Sequence, residues 1–110
     1  MFKRIAFFEG KITQGREAEF DAYIKQRLVP LWTQFPGSTR IEVLREVETE
    51  DGSHSYPLVL QTTYPDRGAI EKALASKVRV DSRAMTRGLL DMFEGRVFHV
   101  VYELNDYTAS

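Results

Sequence analysis

Two histidines, one arginine set among apolar residues and a few tyrosines are the side chains of this 110-residue sequence best suited to chemistry. In "REAEFDAYIKQRLVPLWTQF", Phe20, Tyr23, Ile24, Arg27, Leu28 and Leu31 recur at three- and four-residue steps, the period of an amphipathic helix. That phase puts Arg27 on the inward face, where a guanidinium needs a partner. Either it holds a carboxylate or enolate oxygen in a pocket between helix and sheet, or its stem covers apolar surface while its head reaches water or a structural acid. His99, inside "VFHVVY", has an ordinary pKa near working pH and is the candidate general base. Its alternative is a hydrogen-bonded imidazole within a subunit interface. Tyr23, Tyr64 and Tyr102 are expected to project into one helix–sheet interior, as pocket walls with hydroxyls or as plain core. Gln61 joins them as a candidate binding residue, and His54, in the polar "EDGSHS" loop, is expected to be a solvated turn residue.

Other chemistries are excluded or disfavoured. The absence of cysteine removes disulfides, thiol nucleophiles, zinc-thiolate sites and iron–sulfur clusters. Two histidines on separate elements, without a spaced carboxylate, form no metal signature, so neither metal nor cofactor is expected. Fifteen basic against sixteen acidic residues give a net charge of −1, which supplies no general pull toward nucleic acid or anionic membrane. Arg79, Arg83 and Arg87, at four-residue steps, form a basic stripe expected to be a solvated helix face or, alternatively, the edge of an anion site. "MFKRIAFFEGK" has too few apolar residues for a signal core or membrane span, so a cytoplasmic, unprocessed chain is expected.

The elements that must position these residues follow from periodicity. Residues 3 to 12 are rich in β-branched and aromatic side chains and form a first strand, with Gly10 marking a bulge or end. A helix spans roughly 16 to 34, kinked or reset near Pro30. Residues 38 to 47 alternate, Thr39, Ile41, Val43, Arg45 and Val47 facing one way and Arg40, Glu42, Leu44 and Glu46 the other, as near a sheet edge. After an Asp51-Gly52 turn, "YPLVLQTTY" pairs with them as a hairpin. Asp66 is a candidate N-cap for "RGAIEKALAS". A second helical piece over 78 to 93 closes at Gly95, residues 96 to 104 form the last strand, and 105 to 110 a tail.

The order β-α-β-β-α-β in one domain of residues 1 to 110 matches an α+β, ferredoxin-like fold. Right-handed crossovers put both helices on one face of a four-stranded antiparallel sheet. The runs "LVL" and "VFHVVY" are apolar almost without interruption, so both sheet faces need cover. Phe98, Val100, Tyr102 and Leu104, the wholly apolar set, are assigned to the helix side, together with Leu58, Leu60 and Tyr64. Val97, His99, Val101 and Glu103 then face away, with Val59, Gln61 and Thr63. The simplest cover for that second face is another copy of the sheet.

In element order, in the "PLWTQFPG" helix exit and in the closing "GRVFHVVYE" strand, nearly the whole chain resembles the dimeric α+β barrel superfamily. That group includes antibiotic-biosynthesis monooxygenases, haem-degrading monooxygenases, EthD-type proteins, muconolactone isomerases and stress-response proteins, so the fold does not choose a function. EthD-type sequences carry a histidine two residues before the proline of this element, and Leu28 stands there instead. Haem-degrading members use a histidine in the second helical region, and residues 66 to 94 contain none. The resemblance implies a homodimer joined through its sheet faces. Each protomer would bind a small, partly aromatic or polyketide-like molecule, with no nucleic acid or membrane partner. If it is an enzyme, the resemblance implies cofactor-independent oxygenation or proton transfer, with Arg27 stabilising an oxyanion and His99 or a tyrosine moving the proton. The rival expectation is a non-catalytic dimeric module for ligand sensing or stress response.

Overall fold

A computed structural model describes residues 1–109 of the chain. The elements in order are β1 (Phe2–Ile12), α1 (Glu17–Tyr23), a π-helical segment (Ile24–Leu28), α2 (Val29–Trp32), β2 (Arg40–Arg45), β3 (Leu58–Tyr64), α3 (Arg67–Leu74), α4 (Lys77–Leu90) and β4 (Phe93–Glu103). The four strands form one antiparallel sheet in the order β2-β3-β1-β4, the ferredoxin-like α+β arrangement expected from the sequence. Ser110, the last residue of the expected tail, lies outside the described residues, and 104 to 109 carry no regular structure.

The core lies between the helices and one sheet face. Phe20, Leu28, Trp32, Leu58 and Leu89 are its fully buried large side chains. Truncating one of the aromatics to alanine would remove about 3 to 5 kcal/mol of stability through lost transfer energy and the cavity left behind. Asp66 caps α3 by accepting from the Ala69 amide at 2.8 Å, and Ser76 caps α4 by accepting from the Arg79 amide at 3.3 Å.

Two features depart from the periodicity. First, the helix from Glu17 to Trp32 is not uniformly α. The Val29 amide donates to Ile24 O, five residues back, and Pro30, which has no amide to donate, follows one position later. A π turn takes in one extra residue, cancelling the drift that four-residue steps suffer on an α-helix. Phe20, Ile24, Leu28 and Trp32 therefore all turn inward, and Arg27 is carried out to solvent. The expectation of an inward Arg27 is corrected by this turn.

Second, β4 starts at Phe93, and α4 ends at Leu90 without using Gly95 as a cap. Phe93 pairs with Ile12 and is buried on the helix side. Two-residue alternation from Phe93 brings Val97, His99 and Val101 to that same side, opposite Phe8, Ala6 and Arg4. Phe98, Val100 and Tyr102 face away, reversing the phase assigned from their being the wholly apolar set. The phase expected for β3 stands: Leu58, Leu60 and Tyr64 share the helix side with Phe8, Ala6 and Phe2. Gly10 and Gly95 are cross-strand partners at this end of the sheet. A Cβ on Gly10 would lie 2.1 Å from the Glu94 carbonyl oxygen, and one on Gly95 would lie 2.0 Å from that of Glu9. Both positions therefore require glycine.

Candidate functional site

The helices do not fill the space above the sheet completely. A cavity of about 410 Å³ remains, floored by Arg4, Ala6 and Phe8 of β1, Leu60, Thr62 and Tyr64 of β3, and Val97 and His99 of β4. Its roof is one side of α4, with Ser82 and Thr86 between Arg79, Arg83 and Arg87, and Leu90 near the end. Trp32 and Phe35, where α2 runs into the following loop, supply aromatic wall. The size suits a one- or two-ring organic molecule.

Tyr23 holds the roof in place. Its hydroxyl donates to the Met85 carbonyl at 2.8 Å, and a Cβ at Gly88 would lie 2.1 Å from that hydroxyl oxygen. The glycine lets the phenol seat against α4, fixing the rotation at which the arginine stripe meets the cavity. Ser82, buried in the middle of that stripe, leaves room where a larger side chain would fill the void.

The electrostatics of the cavity are one-sided. Four guanidiniums and an imidazole line it, and among the described residues no carboxylate does. Among the described residues none of Arg4, Arg79, Arg83 and Arg87 belongs to an ion pair, whereas Arg16, Arg40, Arg45 and Arg96 each have an acid within ion-pair distance. Arg4 and Arg79 are half-buried, and Arg83 and Arg87 stand exposed at the mouth. Desolvation, then the charge of Arg79, pushes the Arg4 pKa down to about 10, with Tyr64 acting weakly the other way. Arg79 is lowered too, by desolvation and then by Arg83. The Tyr64 phenol is raised by burial against the opposing pull of Arg4 and Arg79, so it stays neutral at physiological pH.

His99 sits where these fields meet. The residue is exposed along the open β4 edge, yet its ring forms cavity wall. Desolvation, followed by the charges of Arg4, Arg79 and Arg83, pushes its pKa down to about 4. Solvent on the open side moderates the first cause. The three cations all act in the same direction, so the imidazole of the empty cavity is neutral at pH 7.

Of the residues singled out from sequence, the structure therefore brings His99 and Tyr64 together in the cavity. It does not bring Arg27 there, because the π turn sends it outward. Tyr23 packs between helices. Tyr102 lies on the opposite sheet face across from Lys3, and Gln61, on that same face, accepts from Lys3 Nζ at 2.8 Å. His54 stands 3.8 Å from Glu9, away from the cavity. Sequence reasoning missed Arg4, Trp32 and Phe35. Arg4 was findable, since two-residue steps in β1 place it in phase with Ala6 and Phe8.

The fold has solved relatives. An ethyl tert-butyl ether D (EthD) family protein from Bacillus halodurans C-125 superposes with a TM-score of 0.73 at 21% identity, over 96% of this chain and 99% of its own. A mutant of SnoaB, a cofactor-independent oxygenase from Streptomyces nogalater, gives 0.66 at 18%, over 99% and 97%. A dimeric ferredoxin-like protein of unknown function from Jannaschia sp. CCS1 gives 0.65 at 18%, over 94% and 98%. This is the ferredoxin-like fold of EthD-like and antibiotic-biosynthesis-monooxygenase-like proteins. No family model matches the sequence, and no curated protein matches it. Identities this low carry the fold and leave the chemistry to the cavity. No helix is long and apolar enough to cross a membrane, and no group of three metal-ligating side chains occurs among the described residues.

Proposed function

We propose that the protein is a homodimer that binds a small, partly aromatic organic acid in the cavity of each protomer and acts on it by proton abstraction. The reaction class is cofactor-independent monooxygenation or a proton-transfer rearrangement. The observation that carries this reading is that His99 lines one cavity with Arg4, Arg79 and Arg83 and, among the described residues, no carboxylate, a setting that lowers the imidazole's pKa. His99 takes a proton from an activated C–H, and the enolate oxygen that results is held by guanidinium N–H donors, which stabilise charge as it develops. In the oxygenase form the electron-rich carbon bonds to dioxygen and the imidazolium returns its proton to the distal oxygen, giving R–OOH; where that carbon carried a second hydrogen, loss of that proton with cleavage of the O–O bond leaves C=O and releases the other oxygen as water. An imidazole of pKa about 4 is a weak base in the empty cavity. An entering anion offsets the surrounding positive charge and raises that pKa, so the substrate itself prepares its base. The oxyanion role first given to Arg27 passes to Arg4 and Arg79.

The dimer rests on the other sheet face. Phe7 stacks on Phe98 with centroids 5.2 Å apart, Tyr56 meets Phe7 edge-on at 5.8 Å, and Leu44 and Tyr102 are 44% and 46% exposed on the same face. A second copy of the sheet is the occupant that the Jannaschia relative's dimeric state supports. A particle of one protomer's mass at micromolar concentration in size-exclusion light scattering would remove this part of the proposal.

The catalytic part is tested by mass spectrometry of small molecules that co-purify with the protein. Deuterium incorporation into that ligand in D₂O is then followed by NMR, with phenylpyruvate, a one-ring carbon acid that bears a carboxylate, if nothing co-purifies. Exchange should exceed the buffer rate and fall by roughly 10²- to 10⁴-fold in His99→Gln. A ligand that binds without exchange favours a sensing module, a reading supported by the lack of any carboxylate to orient His99.

A further inference from the structure

We infer that the ligand carries two acidic groups on a planar frame, as in an aromatic dicarboxylic acid, rather than one. The inference rests on the cavity being the ligand site and names the class of molecule it takes. Charge bookkeeping leads there. Arg4 rises from the sheet floor and Arg79 descends from α4, both half-buried and neither paired with an acid among the described residues. A half-buried guanidinium without a counter-charge is costly, and two facing one void share the same deficit. One carboxylate carries a single negative charge, even where two guanidiniums share its oxygens. A monoacid would therefore leave the other cation uncompensated in a site it has just desolvated.

The helix adds a second, independent mark. Arg79, Arg83 and Arg87 follow one another at four-residue steps, an arrangement of like charges that weakens an isolated helix. Elsewhere on α4 the same spacing is used favourably, Lys77 lying 3.8 Å from Asp81. The arginine line is thus not a general property of the helix surface. It is confined to the side that roofs the cavity, where a multiply charged anion would reverse the sign of its cost.

The cations also lie on opposing walls, which favours charge at two points over a single phosphoryl centre. Trp32, Phe8 and Phe35 line the same cavity and offer it flat apolar surface. A ring bearing two carboxylates, or a carboxylate and an ionised hydroxyl, satisfies walls and cations together.

Isothermal titration calorimetry of the full chain with benzoate, phthalate, isophthalate and phenyl phosphate tests the assignment. At least one benzenedicarboxylate should bind ten-fold or more tightly than benzoate, and raising NaCl from about 50 to about 500 mM should shrink that advantage. Arg79→Gln should abolish the preference, the diacids losing at least ten-fold more affinity than benzoate does. Arg83→Gln, at the exposed mouth and safe for folding, should reduce it in part. Benzoate matching both diacids, phenyl phosphate exceeding them, or no diacid binding at millimolar concentration would each overturn the inference. The failures separate: diacid preference without deuterium exchange keeps the charge assignment and removes catalysis, and exchange on a monoacid without preference does the reverse.

Discussion

The two faces of the sheet treat positive charge in opposite ways. On the outer face Lys3 Nζ lies 3.0 Å from Glu42 and Arg96 Nε lies 2.7 Å from Glu9, and the Arg96 guanidinium also covers the Phe98 ring at 4.8 Å. On the inner face Arg4 and Arg79 are half-buried and have no acid beside them among the described residues. Paired cations on the outer face are part of the architecture and make it a surface ready to be covered. Unpaired ones on the inner face are a stability cost, of the kind found where binding or chemistry is done.

The largest effect that would sharpen this contrast is on the inner face. The double variant Arg4→Gln/Arg79→Gln should lose 100-fold or more in affinity for the co-purified acid, measured by calorimetry. The same variant should be more stable when empty, by roughly 1 kcal/mol or on the order of 4 °C in Tm, because two desolvated like charges are gone. A variant that is weaker in both respects would mean that the arginines are structural, and the contrast between faces would collapse.

Next in size is a break of the outer face. Phe7→Asp places an unpaired carboxylate in the Phe98–Tyr56 cluster and should yield monomers by light scattering while α4 and the cavity stay folded by circular dichroism. Persistence of the dimer would show that a different surface joins the copies.

The pH dependence probes the imidazole that the inner face keeps discharged. For the free protein, kcat/KM should hold down to the region of pH 4 and fall only as His99 takes up its proton. The acid limb of kcat, which reports the complex, should lie at higher pH because bound anion offsets Arg4, Arg79 and Arg83. Coincident limbs would argue against the ligand preparing its base. Stability carries the same signature. His99 has its folded pKa below its unfolded one, so the unfolded chain binds more protons between about pH 4 and the usual histidine value, and stability falls as pH drops through that window. His99→Gln should flatten the loss in denaturant titrations at pH 7 and pH 5.

The smallest effect belongs to Arg27, whose replacement by alanine should change stability by less than about 0.5 kcal/mol and leave ligand affinity unaltered. A ten-fold loss of affinity would mean that this exposed side chain reaches the ligand after all.

The order of elements and the sheet were legible because strand alternation and helical period are local signals. The alternation of Ile41 and Val43 with Arg40 and Glu42 gave β2 its edge position, and Asp66 announced the start of α3. What the sequence hid were two shifts of a single residue. One extra residue in the Ile24–Leu28 turn reverses the side on which Arg27 falls, and two apolar residues at the junction of α4 and β4, Met92 and Phe93, make the end of the helix indistinguishable from the start of the strand. Alternation is unforgiving here: an error of one position sends every later side chain to the wrong face. His99 and Tyr102 exchanged places because the wholly apolar set of β4 lies on the outer face, where Phe98 stacks on Phe7. The arginine stripe was visible, but whether it faced water or a void depended on the seat of Tyr23 over Gly88, a contact between distant parts of the chain.

The π turn also bears on how this protein could be altered. A turn that holds one residue more than its neighbours is a length variable inside a helix, so removing one position between Ile24 and Leu28 would be absorbed locally while both flanking stripes keep their facing.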